Sequence, residues 1–311
     1  MPVLKDFGRP KMKRIVSISL GSSKRDKQVK VNFFGEEFDI SRIGVDGDMK
    51  LFQDRLRELD GKIDAFGVGG ADIYVYSGEK KYAMPEILRL MSPVKITPYV
   101  DGSGLKNTLE REAVKWLQES GKIDFRSKRV LMVCSVDRFG MSETLAKYAK
   151  SIVVGDLMFN LGLPFPIHSW ETAQKLGRIL LPIVIRLPYK WLYPTGEKQN
   201  VNTPKFQSHF ENADVIAGDF HLIRRYMPER LDSKIILTNT TTAEDETELR
   251  RRGASQLITT TPVFEGRSFG TNVMEAALVT LLGKPPEQLT PQDYFEKFQE
   301  LNWKPEIRIL N

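Results

Sequence analysis

The 311-residue sequence holds one cysteine, Cys134, so no intrachain disulfide can form. That thiol lies inside the apolar stretch VLMVCS, where it reads as a buried inert group, and the cysteine usage points to a reducing cytoplasm. Only three histidines occur, and no His/Cys/Asp cluster has metal-ligand spacing, so no metal site is expected. No window approaches the roughly 20 apolar residues of a membrane span. The opening residues, MPVLKDFGRPKMKR, lack the apolar core of a signal peptide. One apolar stretch, LGRILLPIVIRLPYKWLYP at 176–194, is broken by arginines and prolines. It suits a helix packed near a domain cleft, or a segment inserting into a surface, but not a transmembrane helix.

Neither sign of charge dominates. The 46 lysines and arginines are dispersed among 40 acidic residues, for a net charge of +6. Basic clusters such as RPKMKR, KRDKQVK and LRRRG read as solvated faces, so no nucleic-acid partner is expected. An anionic small-molecule substrate fits the same balance, and a homodimer is allowed for.

There is ample material for cores: 41% of residues are hydrophobic, and the length suits two domains. RIVSISL at 14–20 reads as a first strand. VKVNFF and EFDISRI flank a hairpin turn at Gly35-Glu36. Strands follow at KIDAFGV (62–68) and VKITPYV (94–100), with a long amphipathic helix from Leu105 that bridges to a second half. There, RVLMVCS, SIVVGD, ADVIAGD, KIILTNTT and SQLITTTP alternate with helices, as in a doubly wound sheet. The expected fold is α/β in two domains: an N-terminal mixed α/β substrate domain (1–120) and a C-terminal Rossmann-like parallel sheet (121–285). An insertion at 157–212 interrupts the second, and a C-terminal helix and tail (286–311) follow.

The loop Ser135-Val136-Asp137-Arg138-Phe139-Gly140 stands where a dinucleotide-binding protein keeps its phosphate loop, with one glycine where three are usual. Gly140 suits the helix-packing role, while Ser135 and Asp137 fill the other two positions. Asp137 either opposes a pyrophosphate or caps the following helix, leaving Arg138 to meet a phosphate. Asp156 follows Ser135 by 21 residues (156 − 135), close to the ~20-residue spacing of a ribose-binding acid, or is a plain cap. That spacing favours NAD over NADP. Asn239 and Thr240, at another strand tip, complete the expected cofactor set.

For substrate and chemistry, the candidates lie at other strand ends. Asp101, Lys106 and His221 are the expected catalytic residues, the lysine being unusual in a first helical turn unless an anion binds there. Ser22, Ser23 and Lys24, with Arg267 and Asn272, are the expected substrate contacts; each also reads as an exposed turn or a solvated helix start. YPTGEKQ in the insertion suits a lid or a surface turn.

The segments VSISLGSSKRD, RIGVDGD, DGSGLKNTLER, VDRFGM, YPTGEKQ, DVIAGDFHLIRRYMP, TNTTTAED and EGRSFGTNVMEAAL together resemble a set of bacterial proteins labelled quinate 5-dehydrogenase. The resemblance implies the shikimate/quinate dehydrogenase superfamily, with a substrate domain preceding an NAD(P)-binding domain. The superfamily's N-V-T-x-P segment has no counterpart here, and Leu109 replaces the aspartate of its N-T-D segment after Lys106-Asn107-Thr108. The reading is thus an NAD(P)-dependent oxidoreductase acting on a small polar anionic hydroxy compound. Its alternatives are a non-catalytic nucleotide or metabolite sensor, or a transferase of a phosphate-bearing substrate.

Overall fold

The computed structural model describes residues 12–33, 35–77, 80–188, 202–261 and 270–311, and the backbone of 263–264 and 267–268. The first part runs β1 (Lys13–Ser19), β2 (Lys27–Phe33), β3 (Glu36–Gly44), α1 (Met49–Leu59), β4 (Ala65–Gly69), β5 (Tyr74–Ser77), β6 (Lys80–Ala83), α2 (Pro85–Leu90) and β7 (Tyr99–Val100). Helix α3 (Ser103–Glu119) follows, then β8 (Arg129–Met132), α4 (Phe139–Tyr148), β9 (Ser151–Val154), α5 (Asp156–Phe159) and α6 (Trp170–Val184). The chain continues through α7 (Gln207–Asn212), β10 (Val215–Ala217), α8 (Phe220–Tyr226), β11 (Ile235–Thr238), α9 (Ala243–Arg251) and β12 (Gln256–Thr259). It ends with β13 (Val263–Phe264), β14 (Arg267–Ser268), α10 (Thr271–Leu282), α11 (Pro291–Glu300) and β15 (Glu306–Ile309).

Two sheets organise these elements into a two-domain α/β fold. The first is ordered β2-β3-β1-β4-β7, parallel except for β2, which pairs antiparallel with β3 through the expected hairpin. Its central strand β1 is buried from Ile15 to Ser19, as a parallel strand covered on both faces must be. The second is ordered β15-β12-β11-β10-β8-β9, parallel apart from β15. Taken in chain order, its parallel strands run 2-1-3-4-5. The doubly wound parallel sheet is therefore present, in a strand order different from the 3-2-1-4-5-6 of a Rossmann domain.

One expected strand is mostly loop. Only Tyr99–Val100 of the stretch 94–100 is extended, because the Asp60 carboxylate accepts the backbone N–H groups of Lys95, Ile96 and Thr97 and draws them out of any ladder. Helix α3 serves both domains: Leu105 and Leu109 enter the core of the first sheet, Val114 and Leu117 that of the second. Helix α10 follows β12 of the second sheet in sequence, yet Val273, Met274, Ala277 and Leu278 pack on the first. Tyr294 and Phe298 of α11 join them there, and β15 then returns to the second sheet. Among the described residues, no helix is long and apolar enough to cross a membrane.

Candidate functional site

In an open parallel sheet the crevice forms beyond the carboxyl ends of the strands, where the strand order reverses. The first sheet reverses between β1 and β4, the second between β8 and β10. Ser19, Gly21, Gly69, Gly70 and Asp72 extend from the first of these points, and Ser135, Asp137, Arg138 and Asp219 from the second. All of them line one cavity of about 900 Å³.

Across this cavity runs a chain of buried charges. Lys106, 6% exposed, sits in the first turn of α3 and donates from Nζ to Asp72 Oδ1 at 2.6 Å and to Asp137 Oδ1 at 2.5 Å. Asp72 comes from the first domain and Asp137 from the loop after β8, so one ammonium links the two. Gly102 makes the placement possible. Its φ is +91°, and an added Cβ would meet Thr271 Oγ1 at 2.7 Å. Beside Asp137, the fully buried Arg138 guanidinium donates to Glu110 of α3 and, at 2.7 Å, to Asp219 Oδ2 after β10. Asp219 Oδ1 accepts the backbone N–H of His221 at 2.8 Å, and His221 Nε2 lies 3.5 Å from Arg25 of the first domain.

The electrostatics follow from burial and pairing together. Burial opposes the Lys106 charge, but Asp137 and Asp72 outweigh it and hold its pKa above the ordinary value. Burial likewise opposes ionisation of Asp137, yet Lys106 and Arg138 hold it below the usual carboxylate range. Asp72 goes the other way, pushed up to about 7 by burial and by the Asp137 charge. Glu110 also rises to about 7, chiefly through burial. His221 is shifted below its ordinary value by desolvation in the cleft, against the opposing pull of the Asp219 charge.

Several expected site residues are committed elsewhere. Asp101 spends its carboxylate on the backbone N–H groups of Ile73, Tyr74 and Ser103, so it brackets the chain rather than standing ready as a base. Asp156 accepts from Ser135 N and Oγ and from Val136 N. Those bonds occupy the oxygens that a ribose would need and tie down Ser135. Gly140 lies against the backbone of Asn107, where it lets α4 approach α3. Asn239, Thr240 and Asn272 do line the cavity, the last donating from Nδ2 to Ser17 Oγ at 2.9 Å.

Ser22, Ser23 and Lys24 form a short turn. Ser22 Oγ accepts Lys24 N, and Ser23 bonds Asp46, while their neighbours Gly21 and Arg25 reach the cavity. The side chain of Arg267 and the YPTGEKQ segment lie outside the described residues.

The site holds partners that sequence reasoning missed. Asp72 closes the glycine-rich GVGGAD turn. Glu110 sits four residues after Lys106, beside the apolar stripe of α3. A charged pair at helical spacing on an otherwise buried face was the available signal. Among the described residues, no group of three or more His, Cys, Asp or Glu side chains is placed to hold a metal ion.

No curated protein matches the chain. Solved structures that it is similar to include a galactofuranose binding protein, 9% identical at a TM-score of 0.37, over 96% of this chain and 94% of that one. GanP, a glucose-galactose binding protein from Geobacillus stearothermophilus, is 10% identical at 0.36, over 96% and 98%. A periplasmic sugar-binding protein from Pseudomonas fluorescens is 13% identical at 0.37, over 88% and 84%. The family models that the chain does match are those of domains of unknown function, so the expected kinship with quinate and shikimate dehydrogenases is not borne out. With it go the NAD(P)-dependent oxidoreductase and its sensor and transferase alternatives, and the carboxylates committed at Asp101 and Asp156 agree with that correction. Residues 14–101 match the family model of a domain of unknown function, DUF8753. The model of a second such domain matches residues 104–310, most of the chain, which therefore belongs to the DUF8754 family.

Proposed function

We propose that the protein binds a small, neutral, polyhydroxylated solute of sugar type in the cleft between its two sheets. The observation that carries this reading is the self-neutralised charge chain. Lys106 and Arg138 stand against the ionised Asp137 and Asp219, while Asp72 and Glu110 titrate near pH 7. A full charge on the ligand would have to displace one of these pairs, and breaking a buried pair costs several kcal/mol, about 3–5. A hydroxyl fits without that cost, since it accepts from an ammonium or guanidinium and donates to the neighbouring carboxylate. Ser17, Ser19, Asn239, Thr240 and Asn272 add neutral partners around the same cavity.

Titration calorimetry with neutral monosaccharides and polyols, each beside its sugar-acid and amino-sugar counterpart, tests the reading at pH 7. The neutral member should bind one-to-one. Asp72→Asn should weaken it by roughly 10-fold or more, as loss of a charged hydrogen bond worth about 1.5–3 kcal/mol implies. Binding of the acids or amines in preference to the neutral compounds would overturn it.

A further inference from the structure

The charge chain occupies only part of the cavity. Helix α6 supplies another wall, with Ala173, Leu176, Leu180, Leu181, Val184 and Ile185 set at successive helical turns toward it. Val136, Leu157 and Ile167 face the same space from the second sheet. The helix is braced against the β5–β6 hairpin of the first domain: Ser77 Oγ donates to Gln174 O at 3.2 Å, and Leu181 packs with Val75 and Tyr82. Gly177 permits this approach, since a Cβ there would stand 2.8 Å from Ser77 Oγ.

From this wall we infer that the ligand is amphipathic, a polyhydroxylated head carrying an apolar substituent that lies along α6. The inference rests on the proposed solute site and specifies what that site takes. Two observations carry it. The first is size: ligand pockets run roughly 300–1,000 Å³, and this one, at about 900 Å³, lies near the top of that range, with room beyond a single sugar ring. The second is continuity. The apolar wall and the polar crevice line one cavity, and Leu176, Leu180, Val184 and Ile185 on it are only half-buried. Burying such surface favours binding, and the head beside Lys106 fixes which end of the ligand enters first.

N-phenyl-1-naphthylamine, a neutral apolar fluorophore, probes the wall without requiring the right sugar. It should bind saturably, one molecule per chain. Methyl, butyl and hexyl glucosides and galactosides should displace it with affinity rising by about fourfold per added methylene. Leu180→Asn and Val184→Asn should weaken the fluorophore by tenfold or more and flatten the chain-length series. Ile179→Asn and Ile183→Asn, at exposed positions outside the cavity, should change neither. Matching thermal melts confirm that each variant is folded.

No saturable fluorophore binding, or binding lost only in the Ile179 and Ile183 variants, overturns the inference. If free monosaccharides bind calorimetrically while chain length has no effect, the apolar half fails and the solute site stands. Fluorophore binding that no glycoside displaces, with no calorimetric binding of free monosaccharides, overturns both.

Discussion

Glu275 shows what a single buried acid does to this fold. It sits in α10, 3% exposed, and its Oε1 accepts the Tyr294 hydroxyl at 2.8 Å. Burial, then the neighbouring Asp101 charge, pushes its pKa up to about 7 from an ordinary 4.5. The native state therefore holds this proton more tightly than the unfolded chain does. The stabilisation is complete below pH 4.5 and is lost as pH rises through 7, an effect on the order of 3 kcal/mol. Asp72 and Glu110 act in the same direction. Urea unfolding should accordingly show stability falling between pH 5 and pH 8. Glu275→Gln, which keeps the acceptor for Tyr294 but cannot ionise, should make that fall shallower. An unchanged slope would mean that Glu275 ionises normally in the folded protein.

At the scale of elements, the β8–α4 unit was legible because its signals are local: an apolar strand, a polar turn and a glycine at the helix start. What the loop does was not. Asp137 meets Lys106, 31 residues earlier in the chain, and Arg138 meets Asp219, 81 residues later. Spacing within the loop carries no trace of either partner, so a phosphate-binding role looked open for residues that are already paired. Gly140 shows a similar split. Its helix-packing role was expected against a strand, whereas the close neighbour is α3, with the Asn107 carbonyl oxygen 2.5 Å from where a Cβ would stand. Backbone cannot swing aside as a side chain can. Gly140→Ala should therefore push α4 off α3 and lower stability by roughly 1–3 kcal/mol. It should also weaken solute binding, because Lys106 sits on α3 and Asp137 in the loop that leads into α4. A variant with wild-type chemical denaturation would show that the helices have slack.

For the whole molecule, the two-sheet arrangement was readable from the alternation of strands and helices, but the route of the chain between the sheets was not. Helix α10 is apolar on nearly every side, which says that it must be buried and not which sheet buries it. It crosses to the first sheet, with α11 beside it, and this makes residues 12–101 an incomplete domain. In that stretch Ile15, Val29, Val31, Phe33, Phe38, Ile40 and Val100 pack against Leu105, Leu109, Val273, Met274 and Phe298, all outside it. Burying each large side chain contributes roughly 1.5–3 kcal/mol. Leaving seven of them facing water removes an amount comparable to the whole stability of a domain, about 5–15 kcal/mol. A fragment of residues 12–101 should therefore lack a cooperative urea transition and bind an apolar dye. Co-expression with residues 102–311 should restore both the transition and solute binding, because α3, α10 and α11 then return to the exposed face. A cooperative transition from the short fragment alone would show that its other face, closed by α1 and α2, suffices to hold the sheet.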